Sequence, residues 1–164
     1  MKVGTALASP GMKPGPFVIE EYVRWSDVDF AGIICYGAYL RFFEIAETEL
    51  FRAAGLAFAE VFDRFDVWFP RKAIHSEFHR PARLDDRLRV AAYVGRVGNK
   101  SLTLNFDVVR DDAPHLGAAG WQVLVCVGRR DLRPRALPPD IVRALAPHTL
   151  TPEAARACLG IAVA

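Results

Sequence analysis

Arg24-Trp25-Ser26-Asp27-Val28-Asp29-Phe30-Ala31-Gly32-Ile33-Ile34-Cys35-Tyr36-Gly37-Ala38-Tyr39-Leu40 is the stretch on which the reading of this chain turns. It reads as the end of a strand, a tight acidic loop and the start of a long helix. Asp29 stands a few residues ahead of that helix. Between Ile33 and Tyr39 there is no Ser, Thr, Asp or Asn to cap the first backbone N–H groups. Free donors beside a carboxylate suit a site that polarises a carbonyl and attacks it. The bland reading of Asp27 and Asp29 is turn chemistry, because Asp before Gly is common in loops.

Downstream, Tyr36 to Ala54 is the best helix in the chain. Leu40, Phe43, Ala46, Glu47, Leu50, Phe51 and Ala54 recur at helical spacing, with Glu47 as a charged interruption. Gly55 is the expected C-terminal stop. A short second helix is expected over Phe58 to Arg64. Upstream, Phe17 to Trp25 has strand composition.

After the helices the period changes to that of strands, over Val67 to Arg80, Arg87 to Val97, Ser101 to Arg110 and Ala118 to Arg130. Leu84-Asp85-Asp86, Gly98-Asn99-Lys100 and Asp111-Asp112-Ala113-Pro114 supply the turns. Pro139 to Leu145 reads as a short helix with Pro at its start. The last dozen residues are expected to add an extra turn of helix. The fold class is α+β: one strand, a long helix, then a meander of four antiparallel strands. Residues 1–16 are expected as a flexible arm, 17–148 as the domain and 149–164 as a C-terminal tail. One helix covers only part of such a sheet, and its edges need protection, which predicts a homodimer or homotetramer.

The chain has 164 residues, the length of one domain. A net charge of +2 gives no reason to expect nucleic acid as a partner. Three widely spaced cysteines, Cys35, Cys126 and Cys158, with no CxxC, fit free thiols in a reducing compartment. The first residues hold no apolar core of a signal peptide, and no apolar run is long enough for a transmembrane helix. The expected location is the cytoplasm.

Asp27-x-Asp29-x-x-Gly32, the apolar Ile33-Ile34, Tyr36 and Tyr39 together resemble the signature of the 4-hydroxybenzoyl-CoA thioesterase family. The continuation Leu40-Arg41-Phe42-Phe43-Glu44 is similar to its Tol–Pal-cluster acyl-CoA thioesterase branch. Pro81-Ala82-Arg83-Leu84-Asp85-Asp86 and Gly98-Asn99-Lys100-Ser101-Leu102 also resemble this family. The resemblance spans residues 17 to 137 and implies a hotdog fold, a long helix wrapped by an antiparallel sheet of about five strands. It implies acyl-CoA hydrolysis to free acid and CoA, with no cofactor, since coenzyme A is part of the substrate. It makes Asp29 the catalytic carboxylate and the Tyr36 backbone N–H the donor to the thioester carbonyl. Gly32 and Gly37 fall in the substrate-binding motif. Many relatives carry His or Pro directly after the aromatic position, and Gly37 is expected to open space for the acyl group.

Asp29 can act as nucleophile or as general base on water, and the residues leave both open. Asp27 is expected to bond loop N–H groups. Trp68, Phe69 and Phe78 are candidates for an aromatic acyl pocket, with core packing as the alternative. Arg80, Arg96 and Lys100 are candidates for the CoA phosphates, with ordinary surface charge as the alternative. His75, Glu77 and His79 alternate on a strand, and two His with a Glu can bind zinc; a solvent rim or a dimer seam is the commoner cause, and no metal is expected. An aryl acyl group, such as benzoyl or hydroxybenzoyl, is the first expectation. Short or medium aliphatic acyl-CoA and an acyl-carrier-protein thioester are the others. A non-catalytic acyl-binding protein of the same fold is the rival, and Asp29 argues against it. The His–Glu or Asp–His pairing of a dehydratase is not evident in the loop.

Overall fold

Eleven-residue and ten-residue runs of alternating apolar character form the centre of the sheet: β4 (Arg87–Val97) and β5 (Ser101–Arg110). The computed structural model describes residues 13–113 and 115–161. Ahead of β4 come β1 (Phe17–Tyr22), α1 (Tyr36–Ala53), α2 (Phe58–Phe65), β2 (Val67–Trp68) and β3 (Arg71–Phe78). After β5 come β6 (Leu116–Val125), β7 (Val127–Gly128), α3 (Pro139–Leu145) and α4 (Pro152–Leu159). Five strands form one antiparallel sheet in the order β1-β4-β5-β6-β3, and β2 pairs with β7 separately.

This is the expected α+β hotdog arrangement, with three differences from the expected strands. The segment 67–80 is divided: Pro70 has no N–H for a ladder, so β2 ends before it and β3 begins after it. The segment 118–130 is divided at Cys126, whose N–H bonds the Lys100 carbonyl. The four strands are also not one meander. β4, β5 and β6 are, but β3 crosses to the far edge beside β6, and β1 takes the free edge of β4.

α1 crosses the inner face of the sheet. Tyr39, Phe42, Phe43, Ala46, Leu50 and Phe51 are buried along it. Phe43 stacks on Phe106 at 4.6 Å, and a Cβ on Gly120 would come within 2.8 Å of the Phe43 ring. Glycine at 120 thus lets the helix settle onto the strands. Glu47, the charged interruption, is fully buried; its Oε2 accepts from Arg71 Nη2 at 2.6 Å. Burial pushes its carboxyl above the ordinary range, and the Arg71 guanidinium opposes that.

The residues expected as a tail are folded as far as they are described. Thr149 and Leu150 run along β4 where β1 has ended, with the Leu150 N–H on the Val94 carbonyl. α4 then packs on the outer face of the sheet. Leu159 and Ile161 cover Ala91, Val109 and Leu116, and Arg156 donates two bonds to the buried Asp107, which also accepts from the Tyr93 hydroxyl. Of the expected flexible arm, residues 1–12 lie outside the described residues. Residues 13–16 are held at Gly15, whose N–H bonds the Pro147 carbonyl and whose carbonyl accepts from His148 Nδ1 at 2.7 Å. Among the described residues, no helix is long and apolar enough to cross a membrane.

Candidate active site

The acidic loop is a small hairpin. Val28 and Ile34 form an isolated antiparallel bridge, and the Asp29 N–H bonds the Ile33 carbonyl. Gly32 closes the turn, with φ +71 and its N–H on the Asp29 carbonyl at 3.0 Å. That left-handed backbone is what requires glycine here. Asp27 and Asp29 then diverge. Asp27 is buried; its carboxylate accepts the Arg24 N–H and a bond from Arg41 on α1. It ties the loop to the helix. Asp29 is exposed, and its Oδ1 accepts the Ala31 N–H at 2.8 Å, which orients the carboxylate. Among the described residues its Oδ2 has no partner.

Cys35 occupies the N-cap position of α1 and its side chain makes no capping bond. The Cys35 N–H bonds the Asp27 carbonyl, and the Ala38 N–H bonds the Cys35 carbonyl. Among the described residues, no backbone acceptor pairs with the Tyr36 or Gly37 N–H. Two free donors and the positive end of an 18-residue helix dipole therefore lie beside Asp29.

A cavity of about 370 Å³ opens at this point, lined by Asp29, Ile33, Ile34, Tyr36, Tyr39, Phe78, His79, Arg80 and Pro81. It brings together four of the residues singled out in the sequence: Asp29, Tyr36, Phe78 and Arg80. Phe78 and Tyr39 meet with ring centres 5.2 Å apart and form one wall. Arg80 sits on the rim with His79, and both backbone N–H groups bond the Gly117 carbonyl.

Other expected site residues lie elsewhere in the protomer. Trp68 and Phe69 flank the far end of α1, where Trp68 meets Phe62 at 4.7 Å and Phe69 meets Phe51 at 6.4 Å. Nine residues of extended chain, about 30 Å, separate Phe69 from Phe78 and place them there. Arg96 and Lys100 belong to the β4–β5 hairpin, nine or more residues along from Arg87, which is about 30 Å of strand. Gly37 is exposed, and a Cβ on it would meet nothing within 4 Å. The space beside Gly37 is therefore open in the protomer.

Sequence reasoning missed His79 and Tyr39 as walls of this cavity. His79 was grouped with His75 and Glu77 as alternating strand residues. β3 stops at Phe78, so His79 turns toward the site while His75 stacks on Trp121 at 5.5 Å. Pro81 was the available signal, because a residue without an N–H cannot carry the strand ladder onward. The Glu77 carboxylate lies 3.1 Å from His75 and 3.7 Å from His79, a hydrogen-bonded surface group. Among the described residues, no cluster of three His, Cys, Asp or Glu is placed to hold a metal.

A family model described as the thioesterase-like superfamily matches residues 23–145. An acyl-CoA thioester hydrolase, YbgC, from Escherichia coli is 31% identical over 120 residues, covering 73% of this chain and 88% of its own. An acyl-CoA thioesterase YbgC from Haemophilus influenzae is 27% identical over 119 residues, covering 73% of this chain and 86% of its own. Among solved structures, a 1,4-dihydroxy-2-naphthoyl-CoA thioesterase from Synechocystis superposes with a TM-score of 0.75 at 20% identity, over 80% of this chain and 96% of that one. A Thermus thermophilus protein superposes with a TM-score of 0.71 at 25% identity, over 80% of this chain and 98% of that one. The match across the acidic loop, α1 and four of the five strands of the central sheet places the chain in the thioesterase-like superfamily, as a hotdog-fold thioester hydrolase.

Proposed function

We propose that this hydrolase cleaves acyl-CoA to the free acid and CoA, with Asp29 at the reacting carbon and the start of α1 holding the carbonyl oxygen. One observation carries the reading: Asp29 and Tyr36, the first residue of the uncapped helix α1, line the same cavity. The thioester oxygen accepts the Tyr36 N–H, with the neighbouring Gly37 N–H beside it, so the charge that grows on oxygen meets fixed dipoles. Asp29 then acts in one of two ways. Its free oxygen attacks the carbonyl carbon and expels the CoA thiolate, leaving a mixed anhydride for water to cleave. Alternatively it takes a proton from water, whose oxygen attacks the same carbon. An aryl acyl group is the preferred substrate, because Tyr39 and Phe78 give the cavity an aromatic wall. Aliphatic acyl-CoA and an acyl-carrier-protein thioester are the alternatives. Arg80 at the rim is the candidate contact for the CoA phosphates.

A homodimer or homotetramer completes this reading. β3 is a sheet edge, and Ile74 and Phe78 on it are each 51% exposed. Antiparallel pairing of two such edges covers both residues and removes the unpaired backbone groups. It also turns the start of one β3, with Trp68 and Phe69 just before it, toward Phe78 of the other copy.

The test is thiol release from benzoyl-, hydroxybenzoyl-, butyryl- and decanoyl-CoA, with Asp29→Ala alongside. Turnover that falls by about 10²–10⁴-fold in the variant supports the assignment. Undiminished turnover moves the reacting group away from Asp29. Sedimentation of the wild type at micromolar concentration reads the assembly.

A further inference from the structure

A second cavity, of about 270 Å³, lies behind the first, between the first turns of α1 and the ends of β4, β5 and β6. Tyr39, Arg80 and Pro81 line both, so the two adjoin there. We propose that this inner cavity is the acyl pocket and that it takes an uncharged acyl group of up to about two fused rings. The proposal rests on the reading of Asp29 as the reacting carboxylate.

Distance along the helix is the first support. Tyr36 and Tyr39 are three residues apart, on neighbouring positions of one helix face and about 4.5 Å along the axis. A carbonyl held at the Tyr36 N–H therefore lies about one helical turn from Tyr39, which lines both cavities. An acyl group directed inward from that carbonyl passes Tyr39 into the second cavity.

Wall chemistry and size are the second. Tyr39, Ala82, Leu88 and Val108 are all buried and present a largely apolar lining. A cavity of about 150 Å³ with such a lining accepts one benzene ring. The inner cavity is nearly twice that.

Charge is the third. Arg110 also lines the cavity, but its guanidinium is bonded to Asp112 and lies 3.6 Å from Asp86. Two carboxylates already neutralise it, so it offers no free cation to a dicarboxylic acyl group. Arg80 sits at the junction and belongs to the CoA side. An acyl carboxylate driven past Arg80, among Tyr39, Ala82, Leu88 and Val108, would lose its hydration with no free cation beside it.

The experiment compares kcat/KM for 2-naphthoyl-, benzoyl-, acetyl- and succinyl-CoA in the wild type, Val108→Phe and Ala113→Trp, with Asp29→Ala in parallel. The wild type is expected to favour naphthoyl or benzoyl over acetyl, and both over succinyl, by about tenfold or more, the scale on which pocket fit discriminates. Val108→Phe fills the cavity from the sheet side and should lower the naphthoyl-to-acetyl ratio at least tenfold. The ratio is taken within each protein, so loss of folded enzyme cancels. Ala113→Trp narrows the solvent side at a half-buried position and serves if the core substitution is too tight. Unchanged ratios in the folded variants, or a wild type that prefers succinyl or acetyl, overturn the acyl pocket. An inactive Asp29→Ala with unchanged ratios confines that failure to the pocket. An active Asp29→Ala removes the reaction centre itself and the inference with it.

Discussion

The two ends of α1 are built in opposite ways. At its C-terminus every element is closed. The Leu56 N–H returns to the Phe51 carbonyl at 2.8 Å and the Gly55 N–H to the Arg52 carbonyl at 3.0 Å, with Gly55 at φ +73. That is a full Schellman stop, and Leu56 beneath it is buried. Around it Phe51, Phe58, Phe62, Phe69 and Trp68 form a continuous aromatic cluster, with Arg129 over the Trp68 ring at 4.7 Å. At the N-terminus the helix has no side-chain cap, two backbone donors are free, and Tyr36 and Phe30 stand in solvent. Stability is concentrated at the closed end, and unsatisfied polarity at the open end. A helix that is packed at one end can hold bare donors in place at the other.

Four substitutions break or sharpen this contrast. Asp29→Ala at the open end has the largest expected effect on rate, about 10²–10⁴-fold in kcat, with an unchanged melting temperature because the side chain is exposed. Phe51→Ala at the closed end should do the reverse. Deleting a fully buried ring costs about 3–5 kcal/mol in denaturant unfolding. Any protein that stays folded should keep its substrate preference. Gly55→Ala forces a left-handed backbone on a residue with a Cβ and should cost about 1–2 kcal/mol by the same measurement. Cys35→Ser is the most informative and the smallest. A serine at the N-cap can accept from the Gly37 or Ala38 N–H, which stabilises a helix by about 1 kcal/mol and raises Tm by about 2–4 °C. The same bond competes with the substrate, so kcat should fall while stability rises. A stabilised variant with undiminished kcat would mean that the bare helix start has no part in the reaction.

Much of the open end was legible in the sequence, because its signals are local. The gap in capping residues from Ile33 to Tyr39 is visible in the letters, and so is the glycine that the Asp29 turn requires. Asp27 and Asp29 were also separable: the structure gives one to loop N–H groups and Arg41, and leaves the other facing the cavity. The limits of β4, β5 and α3 match the expected ones to the residue. The place of Trp68 and Phe69 within the protomer was not legible, for a physical reason. Trp68 and Phe69 sit on a strand-like segment with Phe78, and nothing in the alternation shows that Pro70 divides it. Nine or ten residues of extended chain separate the first two aromatics from the third by about the length of the helix. The end of the sheet that carries Arg96 and Lys100 was not legible either, because a hairpin tip looks the same in sequence at either end of a sheet.

The sequence by itself determined the elements, the acidic turn and the uncapped helix start, since these depend on neighbours within a few residues. Only the tertiary structure decided which edge β3 occupies, that His79 and Tyr39 wall the site, and that α4 folds onto the outer face through Arg156 and Asp107. It also decided that an inner cavity lies behind Tyr39. These depend on pairings across tens of residues, where many partners are chemically equivalent and burial, not local pattern, selects among them.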